Sequence, residues 1–249
     1  MKRVLISGLA IIGIGIFVTI ISVIMGTDTL NIGLAALIIG AVVLAFKSEE
    51  YVRRDTLDLV VTSVQESLKK MINDLGLEGN AVYIPPYENL PEGGIFIPLV
   101  QDYRIDLGKL SEDSVFLTEV SSEREMGLLI KPPGGKIVEK FEEHLEGEIT
   151  SVSEVESVST AVLRFLELAE SIHIEDAGDT FYVYVKPRNM EFCKRQVKNC
   201  NQVACPICSS VLLGLAKGSG QLLESERFEI VGERVRITVK KLGGISEWM

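Results

Sequence analysis

From Val4 to Met25 the chain reads VLISGLAIIGIGIFVTIISVIM, 22 residues without a charge. At about 1.5 Å of rise per residue, a helix of that length crosses a hydrocarbon core of roughly 30 Å. A second apolar run, Leu30 to Phe46, is interrupted only by Asn31, and Gly26-Thr27-Asp28-Thr29 between the two reads as a tight turn. The pair predicts a transmembrane hairpin over residues 1–47, with helices near 4–25 and 30–46. A secretory signal peptide is the competing reading, because Met-Lys-Arg precedes the first run. That run is longer than the usual apolar region of about 7–15 residues, no small-x-small cleavage site follows it, and a second apolar run stands directly behind it. Lys2 and Arg3 precede the first run and Lys47, Arg53 and Arg54 follow the second, whereas the turn carries Asp28 and no base. The positive-inside rule then places both termini in the cytoplasm of a two-pass cell-membrane protein. Ala36 and Gly40 form a small-xxx-small pair that permits close helix packing. Neither run has a charge at its middle, so ion transport or proton relay has no carrier there.

Residues 47–249 hold 23 basic and 34 acidic side chains, a net charge of −11. Such a domain is repelled at long range by nucleic acid, which is not an expected partner. Residues 48–76 read as a juxtamembrane amphipathic helix, with Leu57, Val61, Val64, Leu68, Met71 and Leu75 at alternating spacings of four and three. This heptad seam of nearly three repeats serves either to lay the helix on its own domain or to pair two copies of the chain. Its shortness favours the first use, and a homodimer through the six residues is the second.

Residues 77–249 are expected to form a cytoplasmic α+β domain, a mixed α/β fold ending in a β-hairpin. Strands are expected at 81–84, 95–100, 115–120 and 127–130, separated by Pro85-Pro86 and Pro91-Glu92-Gly93-Gly94. Helices follow near 136–146 and 152–172; in the second, Val155, Val158, Val162, Phe165, Leu166 and Ala169 share one face. Thr180 to Val185 is a strand. The segments 227–231 and 234–239 alternate across Gly232-Glu233, a pair suited to a two-residue type II′ turn.

All four cysteines lie within sixteen residues: Cys193, Cys200, Cys205 and Cys208. Thiols in a reducing compartment are poor candidates for structural disulfides, whereas zinc takes four soft ligands in a tetrahedron. Cys205-Pro206-Ile207-Cys208 resembles half of a zinc-ribbon knuckle. The other half fits less well, since a continuous helix over 190–200 would separate Cys193 and Cys200 by about 10.5 Å along its axis. A four-cysteine site requires the chain to break before Cys200. The same CPIC segment reads alternatively as a reactive pair at a helix start, with Pro206 at the first helical position. Lys186, Arg188, Lys194, Arg195 and Lys198 crowd this stretch and would favour thiolates. An iron–sulfur cluster is a third reading, without the ferredoxin spacing, and four ligand-free buried thiols are a fourth.

Other features carry less. Pro132-Pro133-Gly134-Gly135 leads from a strand into a helix but lacks the Walker and dinucleotide patterns. His144 and His173 sit in acidic surroundings that read as helical and solvated, and no GxSxG, HExxH or kinase-like set occurs.

The order of a membrane hairpin, an Asn-Ala-Val-Tyr-Ile-Pro-Pro strand over 80–86, a Cys-Pro-Ile-Cys-Ser helix start over 205–209 and a final strand pair resembles an uncharacterised archaeal family of two-helix membrane proteins. Its soluble part is a domain of unknown function, so the resemblance implies architecture over most of the chain and no activity. The tail from Cys205 to Val239 is also similar to the end of V4R domains, small-ligand and metal-associated modules. Those carry cysteines in the last hairpin where Phe228 and Arg236 stand here, so the metal site that likeness implies lacks those ligands.

The expectation is a membrane-anchored, non-enzymatic sensory or scaffolding module with zinc held structurally by Cys193, Cys200, Cys205 and Cys208. The alternative is a membrane-tethered thiol redox or iron–sulfur electron-transfer protein.

Overall fold

The charge-free runs become helices. The computed structural model describes residues 2–26, 29–45, 54–118, 122–197 and 200–249, in two compact units, Met1–Leu57 and Asp58–Met249. In the first unit α1 (Lys2–Met25) packs along α2 (Leu30–Ala45). Ile6–Met25 is long and apolar enough to cross a membrane, and α2 is a shorter apolar helix. The two approach closely because glycines meet between them. A β-carbon added at Gly33 would stand 2.8 Å from the Thr19 backbone nitrogen, and one at Gly15 would stand 2.9 Å from that of Leu37. Gly33 and Gly40, seven apart and so on one face, are buried, whereas Ala36 is half-buried. Residues 27 and 28 of the expected turn, and 46–53 between α2 and the next helix, lie outside the described residues.

In the second unit, α3 (Arg54–Asp74) leads into β1 (Val82–Ile84), β2 (Gly94–Pro98), β3 (Phe116–Leu117) and β4 (Gly127–Ile130). Then come α4 (Gly135–Leu145), α5 (Val152–Phe165), β5 (Ala169–Asp176), β6 (Thr180–Pro187), α6 (Met190–Gln196), α7 (Pro206–Ser219), β7 (Gln221–Val231) and β8 (Arg234–Gly244). Among the described residues the strands form one eight-stranded antiparallel sheet, in the order β3-β4-β2-β1-β7-β8-β6-β5. The final hairpin turns at Gly232, whose φ of 62° is the left-handed value its first turn position requires.

Alternation assigns the faces. Tyr83, Ile95, Ile97 and Leu128 join the core under the helices, while Val82, Ile84, Phe96 and Leu129 enter a second core with Leu107, Leu110 and Leu222. Burial on both faces explains why β1, β2 and β4 read as short continuous apolar runs. In β6 and β8 one face is buried, by Phe181, Val183 and Val185 and by Val235, Ile237 and Val239.

The seam on α3 is divided. Val61 and Leu68 pack against the core beside Ile72, and Gln65 is buried on the same face. Leu57, Val64, Met71 and Leu75 remain exposed.

The helix expected over 152–172 is shorter than its periodicity suggests. It begins on a capping box in which Ser151 accepts from the Glu154 N–H and Glu154 accepts from the Ser151 N–H. It ends at Phe165, because Glu167 adopts φ 57° and the Leu168 N–H turns back to Leu163 O at 2.8 Å. Leu166 and Ala169 fall at helical spacing by coincidence. Ala169 opens β5, where Ile172 and Ile174 point inward at spacing two, and His173 stands on that strand's exposed face.

β5 is an edge strand, and its outer hydrogen-bonding groups are met by α5. Thr160 Oγ1 accepts from the Ile172 N–H at 3.0 Å and donates to Ile172 O at 3.2 Å, and Glu156 Oε2 accepts from the Ile174 N–H at 2.8 Å. Arg164 donates twice to Glu170 O. These side chains stand where a neighbouring strand would, so the edge offers no free template for association. Removing them together, as Glu156→Ala with Thr160→Val, should cost about 2 kcal/mol and promote self-association. Denaturant midpoints and light scattering on the double variant test this; a stable, monodisperse variant would show that the edge needs no cover.

Candidate functional site

The cysteines are delivered by three short segments. α6 starts at Asn189, whose side chain accepts from the Phe192 N–H at 3.3 Å and donates to Asp58 of α3 at 2.5 Å. It stops at Gln196, and the Cys200 N–H turns back to Val197 O at 3.3 Å. Cys193 and Cys200 therefore do not share a helix, and the axial separation that would have kept them apart does not apply. The chain beyond Cys200 is pinned to the start of β1. Asn201 O accepts from the Ala81 N–H (2.9 Å) and the Ser225 hydroxyl (2.9 Å), and Gln202 donates to Leu77 O (2.8 Å) and Gly79 O (3.1 Å). Cys205 is the N-cap of α7, Pro206 its first residue and Cys208 its third, with the Ser209 N–H bonded to Cys205 O at 2.8 Å.

All four thiols are free and buried, and Cys205 and Cys208 are each 3 % exposed. They line one cavity of about 10 Å³ together with Phe192, Gln196, Val197, Phe228 and Val235. That is the room one water needs. Phe228 thus closes the site from the last hairpin, while Arg236 pairs with Glu229. Among the described residues, no three His, Cys, Asp or Glu side chains form a group that could hold a metal ion. Zinc at about 2.3 Å from each sulfur would need the sulfurs about 3.8 Å apart. The thiols thus surround the cavity without closing on a common centre.

Their electrostatics are unequal. The Cys208 thiol directed at the Cys205 sulfur lowers the Cys205 pKa; burial opposes this, and the N–H groups of Cys208 and Ile207 at the helix start support it. Cys208 is pushed well up, first by holding that proton for Cys205 and then by burial. Burial raises Cys193, with Cys205, Cys200 and Asp58 adding to the effect. Burial raises Cys200 to about 12, with Cys205 adding and Lys69 opposing.

Two further groups belong here. The hydroxyls of Tyr83 and Ser209 are buried without a hydrogen-bond partner among the described residues, near each other and near Cys208. The cation that reaches Cys200 is Lys69 on α3, whose Nζ donates to Gln196 Oε1 at 2.6 Å. The basic residues adjacent in sequence serve elsewhere: Lys186 pairs with Glu170 and Glu233, and Lys194 with Glu191. Lys198 lies outside the described residues. Lys69 was findable in principle, because it falls on the face of α3 that carries Ile72 and Gln65.

The PPGG loop abuts this site. Gly134 caps α4, and a β-carbon there would meet Ser210 N at 2.3 Å and Pro206 O at 2.5 Å. The loop is a backbone contact with the first turn of α7. The neighbouring Lys131, Lys136 and Lys217 pair with Glu92, Glu139 and Glu142.

An apolar helix long enough to span a membrane, a mixed α/β unit with an antiparallel sheet and a buried group of four thiols define the class of architecture. The chain belongs to the family described as a domain of unknown function (DUF7982), matched over residues 2–240. No curated protein and no solved structure matches it.

Proposed function

We propose that this is a membrane-anchored, non-enzymatic module whose cytoplasmic domain is stabilised by a soft metal ion, zinc by its ligands, bound by Cys193, Cys200, Cys205 and Cys208. The observation that carries the reading is that four thiols from three chain segments line one small cavity, otherwise bounded by apolar side chains and Gln196. Structural zinc sites are closed and four-coordinate, and thiolate is their commonest ligand. A divalent ion inverts the local pKa order, deprotonating thiols that burial alone keeps neutral. Lys69 and the N–H groups of Ile207 and Cys208 would offset the resulting negative charge, and the partnerless hydroxyls of Tyr83 and Ser209 are available as donors to bound sulfur. The anchoring rests on the charge-free run from Val4 to Met25 in α1 and on α2, and the cytoplasmic placement on the basic residues flanking those runs.

Metal analysis of the full chain, purified anaerobically in detergent, tests the proposal. One zinc per chain is expected, absent from Cys205→Ser. A folded, metal-free protein whose stability is indifferent to added zinc would overturn it.

A second reading has its own observation, the N-cap position of Cys205 with Cys208 three residues on in the first turn of α7, and a Cys205 pKa lowered from its ordinary value. That arrangement suits thiol–disulfide exchange, Cys205 attacking a disulfide and Cys208 resolving the mixed disulfide. Alkylation of the metal-free chain separates the two: one thiol reactive near neutral pH supports exchange, and four unreactive thiols dismiss it.

A further inference from the structure

One end of the soluble unit presents apolar side chains that the fold leaves uncovered. Here α5 and β6 finish and the β7–β8 turn closes: the Arg188 N–H bonds Leu168 O at 3.0 Å, and Lys186 pairs with Glu233 in the turn at 3.2 Å. Phe165, the last residue of α5, is 85 % exposed, and Leu166 and Val231 at the same end are exposed as well. α3 begins at this end too, since Asn189 holds Asp58, and it leaves Leu59 and Val60 outside.

We infer that this end of the soluble unit rests on a lipid surface, with Phe165 and Leu166 in the interface and Arg188 and Arg234 at headgroup phosphates. The inference rests on the proposed anchoring, and three features select lipid as the occupant. The chain enters the unit at this end, and only eight residues, 46–53, separate α3 from the apolar α2. Charge selects the same end. Residues 47–249 carry a net −11, which anionic headgroups would repel, so the contact must be made where acids are neutralised. Lys186 offsets one of the two charges of Glu170 and Glu233, Glu167 adds another acid, and Arg164, Arg188 and Arg234 stand at the same end, the last two exposed and without an ion pair among the described residues. The side-chain chemistry also fits, because aromatic rings and arginines settle at the boundary, with the apolar body in the acyl region and the charge outward.

The molecule carries its own control. Trp248 is the single tryptophan. Its indole N–H bonds Leu242 O at 2.8 Å, eight residues along β8 from Arg234 and so roughly 26 Å from the turn. The full chain is reconstituted into phosphatidylcholine–phosphatidylglycerol vesicles with ordinary or acyl-brominated lipid, as wild type and as Phe165→Trp. The variant's added emission should be largely lost in brominated lipid, and Trp248 emission should be the same in both. Adding Arg188→Glu and Arg234→Glu should restore part of the lost emission. Unquenched Phe165→Trp in protein that survives an alkaline wash would overturn the inference and leave the anchoring intact. Protein that washes off would overturn the anchoring, and the inference with it.

Discussion

Zinc binding should remove the alkaline loss of stability in the second unit and leave only a loss toward acid pH. Without metal, Cys193, Cys200 and Cys208 hold their protons more tightly folded than unfolded. A raised folded pKa adds stability that is fully present below the unfolded value and is lost as pH rises toward the folded one. The loss opens near the ordinary thiol value of 9.0 and, for Cys200, runs to about 12. Within that window each thiol removes about 1.4 kcal/mol per pH unit. Cys205 has the opposite sign. Its pKa is lowered, so its contribution is present above 9.0 and is lost as pH falls through the folded value. Metal-free, the four thiols together place the optimum near the ordinary thiol value. With zinc bound all four are thiolates, protons compete with the metal, and stability is lost as pH falls. Structural zinc in small domains contributes on the order of 10 kcal/mol near neutral pH, so chelation should be the largest single perturbation available. Denaturant midpoints across pH, with zinc and with chelator, measure both directions, and Cys208→Ser should abolish the difference between them. Identical curves would make the cysteines core residues.

Gly134→Ala should destabilise the second unit by about 3 kcal/mol, although it adds one methyl group. The new carbon would lie 2.3 Å from Ser210 N, 2.5 Å from Pro206 O and 2.6 Å from Ser210 Cα. These are backbone atoms of the first turn of α7, and no rotamer change moves them. α4 must shift instead, which lifts Val138 and Phe141 from the core they share with Val211 and Leu212. Because Ser210 follows Cys208 and Ser209, metal affinity should fall together with stability. Gly135→Ala is the control: a β-carbon there meets nothing within 4 Å, so the change should be neutral or slightly stabilising. Equal midpoints for the two variants would show that the α4–α7 contact is not tight.

Some of this site was legible in the residue order. Pro206 behind a cap-forming cysteine places a helix start, and Gly220 its end, because both act through their own backbone. The convergence was not legible: it depends on α6 stopping at Gln196 and on Asn201 and Gln202 being held by the entry to β1. Lys69 arrives from a helix more than a hundred residues earlier, and no local pattern pairs it with Cys200.

The sequence by itself determined the apolar helices, the amphipathic α3, the α+β character and the closing hairpin. Those depend on charge-free length, on periodicities of 3.6 and 2, and on single glycine and proline positions, all local properties of the chain. Tertiary structure decided the rest. It ended α5 at Phe165 and paired Ala169–Asp176 as an edge strand, since helix and strand spacing coincide over so few residues. It divided the α3 seam between core and solvent, and gathered four thiols around one cavity, because which faces meet is settled by contacts far apart in the chain.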